Sequence, residues 1–241
     1  MFAKFTTIIF DLGDVLFNWS PQTKTTISPM TFKRILSSPT WFEYECGKIS
    51  QDSCYERIGN QFAIDPSEVA NAIAQAQDSL QSNNELVSAI QQLKAESNGG
   101  LRIYAMSNVS RPDYQVLHTK FTGWSIFDQV FTSGAVGERK PGLAFYRHVI
   151  NATGINPQNT IFVDDTSENV LSARSVGFHG IIFDDTRQVI RALRNLVGDP
   201  VKRGKEFLEM NSKNLKSTSD SDDAMDDNFM QLLILDATNN R

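Results

Sequence analysis

Two cysteines, three histidines and no long apolar run set the first limits on this chain of 241 residues. Cys46 and Cys54 are too few for the disulfide framework of a small secreted domain, and no His or Cys cluster joins them at zinc-ligand spacing. Reduced thiols in a cytoplasmic protein are the expectation. His118, His148 and His179 are scattered, without partners at ligand spacing, and read as packing or surface residues. No apolar stretch approaches the roughly 20 residues a membrane-crossing helix needs. The N-terminus enters a strand-like run almost at once, so no secretory signal is expected. A basic excess is also missing. With 23 Lys and Arg against 28 Asp and Glu, a net charge of -5 and a pI near 5.2, the chain is not a general nucleic-acid or anionic-membrane binder with a basic stripe. What remains is an ordinary globular composition, 40% hydrophobic, sufficient for one large domain or a core with a smaller insertion.

The order of apolar runs gives the fold class. Phe5 to Phe10 is β-branched and aromatic, and it runs into Asp11-Leu12-Gly13-Asp14, which predicts a buried parallel strand ending at a turn. Further strand-like runs lie at 101–106, 129–131, 160–163 and 179–183, separated by helix-like stretches at 113–120, 142–153, 167–176 and 186–197. Strands alternating with helices of this length imply right-handed crossovers and an α/β fold with a doubly wound parallel sheet. Residues 18–100 break the pattern. Phe32, Ile35 and Leu36, then Tyr55, Ile58 and Phe62, then Val69, Ile73 and Ala76, and finally Leu86, Val87, Ile90 and Leu93 recur at helical spacing, with Pro29, Pro39 and the capped start Asp65-Pro66-Ser67-Glu68 between them. A helical cap inserted after the first strand is expected. Trp19, Trp41, Phe42 and Tyr44 either line an apolar pocket in it or pack its own small core.

The chemistry gathers at strand ends. Asp11 closes the first strand, Ser107-Asn108 the second, and Asp164-Asp165 the run 160–163, all at the carboxyl edge where open α/β sheets bind ligands. Lys140 precedes Pro141 in Gly137-Glu138-Arg139-Lys140-Pro141. Asp11, Asp164 and Asp165 together form an acidic edge suited to Mg2+ through hard oxygen ligands. These four stretches, in this order, resemble the haloacid dehalogenase-like (HAD) hydrolase superfamily over residues 5 to 197. The resemblance implies a catalytic core of 1–17 and 101–197, a cap of 18–100 and a C-terminal extension of 198–241. It implies a phosphatase in which Asp11 attacks phosphorus to form an aspartyl-phosphate. Ser107 and Asn108 would contact the transferring phosphoryl group, Lys140 would neutralise it and the nucleophile, and Asp11, the Gly13 carbonyl, Asp164 and Asp165 would hold Mg2+. Asn169 either orients that metal shell or is a helix-surface amide. The family's second Asp, a general acid two residues after the nucleophile, is replaced here by Gly13. Asp14 is the nearest substitute, although one step along a strand end turns a side chain to the other face. The chain therefore either favours good leaving groups, such as a diphosphate losing its terminal phosphate, or recruits Asp14 or a cap residue. Asp184-Asp185 echoes the acidic pair, and Asp185 reads as a cap for the helix beginning near Thr186.

After Gly198-Asp199-Pro200 the composition changes. A basic helix-like piece, 201–210, leads into a polar linker, 211–228, and then the apolar Phe229-Met230-Gln231-Leu232-Leu233-Ile234-Leu235, which would dock on the core or on a protein partner. This tail, with the phrases at 173–180 and 191–200, is similar to fungal HAD-like proteins of terpenoid secondary metabolism. Some of those act on sesquiterpenyl phosphates, and others carry a terpene-cyclase domain with an Asp-x-Asp-Thr-Thr type motif that this sequence lacks. A hydrophobic phosphorylated small molecule is the implied substrate. The alternative is a catalytically weak HAD-like module for binding or assembly.

Overall fold

The computed structural model describes residues 5–197. The sequence features assigned to 198–241, including the linker and the apolar tail, lie outside the described residues. Within them the elements run β1 (Thr7–Phe10), β2 (Phe17–Asn18), α1 (Pro29–Leu36), α2 (Pro39–Glu45), α3 (Gln51–Phe62), α4 (Pro66–Asp78), β3 (Gln81–Ser82), α5 (Asn84–Glu96), β4 (Arg102–Ser107), α6 (Arg111–Lys120), β5 (Gln129–Thr132), α7 (Ser133–Val136), α8 (Leu143–Thr153), β6 (Thr160–Asp164), α9 (Ser167–Ser175), β7 (His179–Ile182) and α10 (Thr186–Val197). Five strands form one parallel sheet in the order β5-β4-β1-β6-β7, as the alternating pattern predicts.

Strand residues alternate between two faces, and each face feeds its own core. Ile8, Phe10, Ile103, Ala105, Ile161 and Val163 pack on one side with Leu86 and Ile90 of α5 and Val189 and Leu193 of α10. Ile9, Met106 and Phe162 pack on the other with Phe145, Tyr146 and Val149 of α8 and Ala173 of α9. Both faces are covered, which is why the strands read as continuous apolar runs.

A third hydrophobic cluster belongs to the helices between the first two long strands. Phe32, Ile35, Trp41, Tyr44, Ile58, Val69 and Ile73 from α1 to α4 bury against one another. Trp41 and Tyr44 are thus interior to this helical unit, while Trp19 and Phe42 pack partly buried on its rim. The sequence reading groups α5 with these helices; in the structure its apolar face joins the sheet instead. Helical periodicity shows that a face is buried but not against what. The prolines that punctuate this stretch open helices, since Pro29, Pro39 and Pro66 each occupy the first turn, where a missing N–H costs nothing. Asp65 caps α4 by accepting from the Ser67 N–H at 2.8 Å, and Asp185 caps α10 by accepting from the Gln188 N–H at 2.9 Å. The antiparallel pair of β2 and β3 gives no sequence signal, being two residues on each side. Both cysteines are buried and unpaired.

Gly134, at the start of α7, lies so close to the loop before α6 that an added Cβ would sit 2.6 Å from the Arg111 backbone nitrogen and 2.9 Å from the Ser110 carbonyl carbon. Backbone atoms cannot step aside as a side-chain end can. Gly134→Ala is expected to lower unfolding stability by about 1–3 kcal/mol, read as a lower denaturant midpoint at unchanged slope.

Candidate active site

The register of the sheet brings the predicted residues together. Phe10 pairs with Ala105 on β4 and Val163 on β6, so Asp11 stands level with Asp164, and the Asp11 N–H donates to the Val163 carbonyl at 2.8 Å. The two carboxylates therefore meet at the carboxyl end of adjacent strands, on either side of the point where the strand order reverses. Asp11, Asp164 and Asp165 each offer a carboxylate oxygen within 4.8 Å of the others, a grouping that could hold a metal ion.

Lys140 enters from the loop after α7 and is 1% exposed. Its Nζ lies 2.8 Å from Asp11 Oδ1 and 2.6 Å from Asp164 Oδ2. Asn108 fixes the lysine from behind: its Oδ1 accepts from the Lys140 N–H at 2.8 Å and its Nδ2 donates to the Lys140 carbonyl at 2.9 Å. The sequence reading places Asn108 beside the substrate, whereas the structure gives its side chain the task of holding Lys140. Asp164 is held as firmly, because its Oδ1 accepts from the Thr166 N–H and from Asn169 Nδ2, both at 2.9 Å. Asn169 is buried and tethers Asp164, so it is not a helix-surface amide. Ser107 ends β4, buried, and among the described residues no side-chain hydrogen bond occupies its hydroxyl.

Two carboxylates share one ammonium, and burial decides how they titrate. Desolvation raises the Asp11 carboxyl well above the ordinary carboxylate range; Lys140 opposes this, and repulsion from Asp164 adds to it. For Lys140, desolvation acts to lower the pKa, but the paired carboxylates outweigh it and the ammonium is held more firmly than usual. Asp165 is the most open of the three acids and is also raised, by desolvation and then by Asp164 and Asp14.

Gly13 and Asp14 form a turn and not a strand continuation. Asp14 adopts a left-handed conformation, φ 53°, which Asp tolerates better than most residues, and its N–H donates to the Phe17 carbonyl at 2.8 Å. The pleat rule that would turn Asp14 away does not apply in such a turn. Its carboxylate accepts from Trp19 Nε1 at 3.1 Å, and desolvation raises its pKa against that hydrogen bond. Position 13 is open, with no atom within 4 Å of an added Cβ.

Sequence reasoning missed the Trp19 to Asp14 contact, and it missed Glu45, whose buried carboxylate accepts from Trp41 Nε1 and Arg139 Nε, both at 3.0 Å. An acidic residue four positions after a core Trp was the available signal. The histidines stay out of the acidic cluster: His118 stacks on Trp124, and His148 meets Phe131 edge-on.

Residues 5–177 match the haloacid dehalogenase-like hydrolase family. The chain belongs to that family. Residues 201–241 match a second family, the sesquiterpene cyclase astC-like C-terminal domain. Among similar proteins, drimenol cyclase drtB of Aspergillus calidoustus is 42% identical over 231 residues, spanning 96% of this chain and 44% of its own length. Sesquiterpene phosphatase astK of Aspergillus oryzae is 37% identical over 198 residues, spanning 82% of this chain and 100% of its own. The chain thus spans less than half of the first relative and all of the second. A HAD family enzyme of Bacteroides thetaiotaomicron, solved in complex with magnesium and inorganic phosphate, shares the fold at a TM-score of 0.58 and 18% identity, covering 75% of this chain and 94% of that one.

A raised Asp11 pKa means that the folded protein binds more protons than the unfolded chain above the ordinary value of 3.8, so stability falls as pH rises through that window. In a chelator, denaturant midpoints measured from pH 4 upward are expected to decline, and Asp11→Asn should flatten the decline. An unchanged slope in that variant would place its origin elsewhere.

Proposed function

We propose that this chain is a Mg2+-dependent phosphatase that removes phosphate from a hydrophobic sesquiterpenyl monophosphate or diphosphate through an aspartyl-phosphate on Asp11. The observation that carries this reading is the state of the Asp11 carboxylate. Its Oδ1 is engaged by the Leu12 N–H at 2.7 Å and by Lys140, while among the described residues no hydrogen bond engages Oδ2. That leaves one oxygen anchored and one available as the nucleophile.

The donor set fits Mg2+, since clustered carboxylate oxygens are the ligands this hard ion selects; Asp11, Asp164 and Asp165 would hold it, with the Gly13 carbonyl. When bound, the ion supplies the positive charge that allows one anion to approach another. Asp11 Oδ2 attacks phosphorus, the bond from phosphorus to the leaving oxygen breaks, and an acyl phosphate forms. Lys140 holds Oδ1 and balances charge, the Ser107 hydroxyl donates to a phosphoryl oxygen, and Asn108 acts through the Lys140 backbone. Asp14, held by Trp19, gives its proton to the leaving oxygen. It then takes one from the water that attacks phosphorus, which regenerates Asp11.

The substrate class rests on the terpenoid relatives and on the shape of the protein. A cleft of about 600 Å³ lies between α3, α4 and α6, lined by Tyr55, Ile73, Gln77, Pro112 and Val116 among others, a volume suited to a small apolar ligand. In this reading the hydrocarbon part of the substrate would occupy that cleft, whose lining includes none of Asp11, Ser107, Lys140 and Asp164, and not the space against Trp41 or Tyr44, which the cap uses internally. No helix among the described residues is long and apolar enough to cross a membrane.

Asp11→Asn is expected to abolish phosphate release from every substrate; release that persists unchanged in that variant would mark a contaminating activity, and no release from either protein with Mg2+ would favour a binding module instead. Asp14→Asn is expected to lower turnover of an alkyl monophosphate by about 10²-fold, the scale of general acid assistance, with little change for a diphosphate. Ala74→Trp, at the cleft mouth, should raise KM for a farnesyl-type diphosphate while leaving p-nitrophenyl phosphate turnover unchanged.

A further inference from the structure

Lys140 depends on more than Asn108. The residue before it, Arg139, turns the opposite way and contacts the helical cap through two kinds of interaction. Its Nε donates to Glu45 Oε2 at 3.0 Å, and its guanidinium lies 3.7 Å from the centre of the Phe42 ring. The other Glu45 oxygen accepts from Trp41 Nε1 at 3.0 Å, so the carboxylate is held within α2 before it meets the arginine. The same residue holds a second segment of the core. Its backbone carbonyl accepts from Ser133 Oγ at 2.7 Å, and that oxygen also accepts from the Val109 N–H at 2.9 Å, directly after Asn108. One turn of α2 therefore grips both segments that flank the ammonium, the Asn108 loop and the Arg139 loop.

We propose that the Glu45–Arg139 pair, backed by Phe42 and Trp41, is a positioning device through which the helical cap sets the Lys140 ammonium between Asp11 and Asp164. Three considerations support it. The ion pair is largely desolvated, with side chains 24% and 11% exposed, so it is not a solvent-screened surface contact. Arg is suited to the task because one planar group can hydrogen-bond along its edge and stack on a ring across its face. Arg139 and Lys140 are consecutive, so a shift of the first moves the second, and displacements on the order of 1 Å can cost about 10²-fold in rate. The pair touches no reacting atom. It acts through Lys140, and it links the position of the cap to the charge balance at Asp11.

The inference rests on Lys140 serving the phosphatase reading, so its test includes a measurement independent of turnover. In protein carrying 15N-labelled lysine, the buried Lys140 ammonium is expected to give a slowly exchanging signal, assigned by its loss in Lys140→Arg. Glu45→Gln keeps shape and removes charge; it should shift or broaden that signal and lower kcat between about tenfold and a hundredfold, with KM little changed. In a Lys140→Ala background the same substitution should cost no further activity, measured on the residual rate. Arg139→Lys keeps the charge but loses the fork and the stacking, and provides the same test if Glu45→Gln fails to fold. An unchanged ammonium signal in the folded variant, or an equal loss with and without Lys140, would overturn the proposal. Absence of any wild-type turnover together with a perturbed ammonium would sink the phosphatase reading and leave the positioning intact.

Discussion

A lysine ammonium sealed from water between two aspartates is the interaction on which the rest of this molecule depends. A buried charge is tolerated only when paired and hydrogen-bonded, and Lys140 meets that condition through Asp11 and Asp164. Those carboxylates are there because two neighbouring parallel strands end at the same level. Asn108 and Asn169 then remove the freedom of the partners, one by closing on the lysine backbone and the other by tethering Asp164. The strand edge, the two amides and the ammonium form one network, and each member is buried or partly buried.

The charges in that network do not cancel. Three carboxylates gather where one ammonium pairs with two of them, so without a bound cation the site keeps a negative excess that the interior screens poorly. This explains why burial pushes Asp11 toward its protonated form while Lys140 is held charged. In the proposed reading it would also set which ligands the site favours, since an anionic substrate gains little from one lysine near three acids, whereas a divalent cation would meet a ready set of oxygens. The proposed aspartyl-phosphate chemistry needs both properties.

Much of this was legible in the sequence because strand ends are legible. The apolar runs at 5–10, 101–106 and 160–163 end in polar residues, and a parallel sheet aligns those ends whatever lies between them, so Asp11, Ser107 and Asp164 could be brought together from the pattern. What was not legible depends on packing partners or on turn geometry. α5 carries the same periodicity as the cap helices, yet packs on the sheet. Asp14 follows the strand in sequence, but its left-handed φ removes the alternation that would have turned it away. The contact between Glu45 and Arg139 joins residues far apart in the chain and has no local signature. Of the readings of 198–241, the likeness to terpenoid-pathway proteins finds support in the family match over 201–241, while the linker and the apolar tail lie outside the described residues.

The three hydrophobic clusters share no residue. The helices of the cap bury against one another and the sheet is covered by α5, α8, α9 and α10, while polar contacts between the two parts include Tyr44 and Gln77 to Asp113 of α6 and Glu45 of α2 to Arg139. Away from α2, whose Glu45 and Phe42 reach Arg139, changes in the cap's own core can therefore proceed without moving the groups at the strand edge.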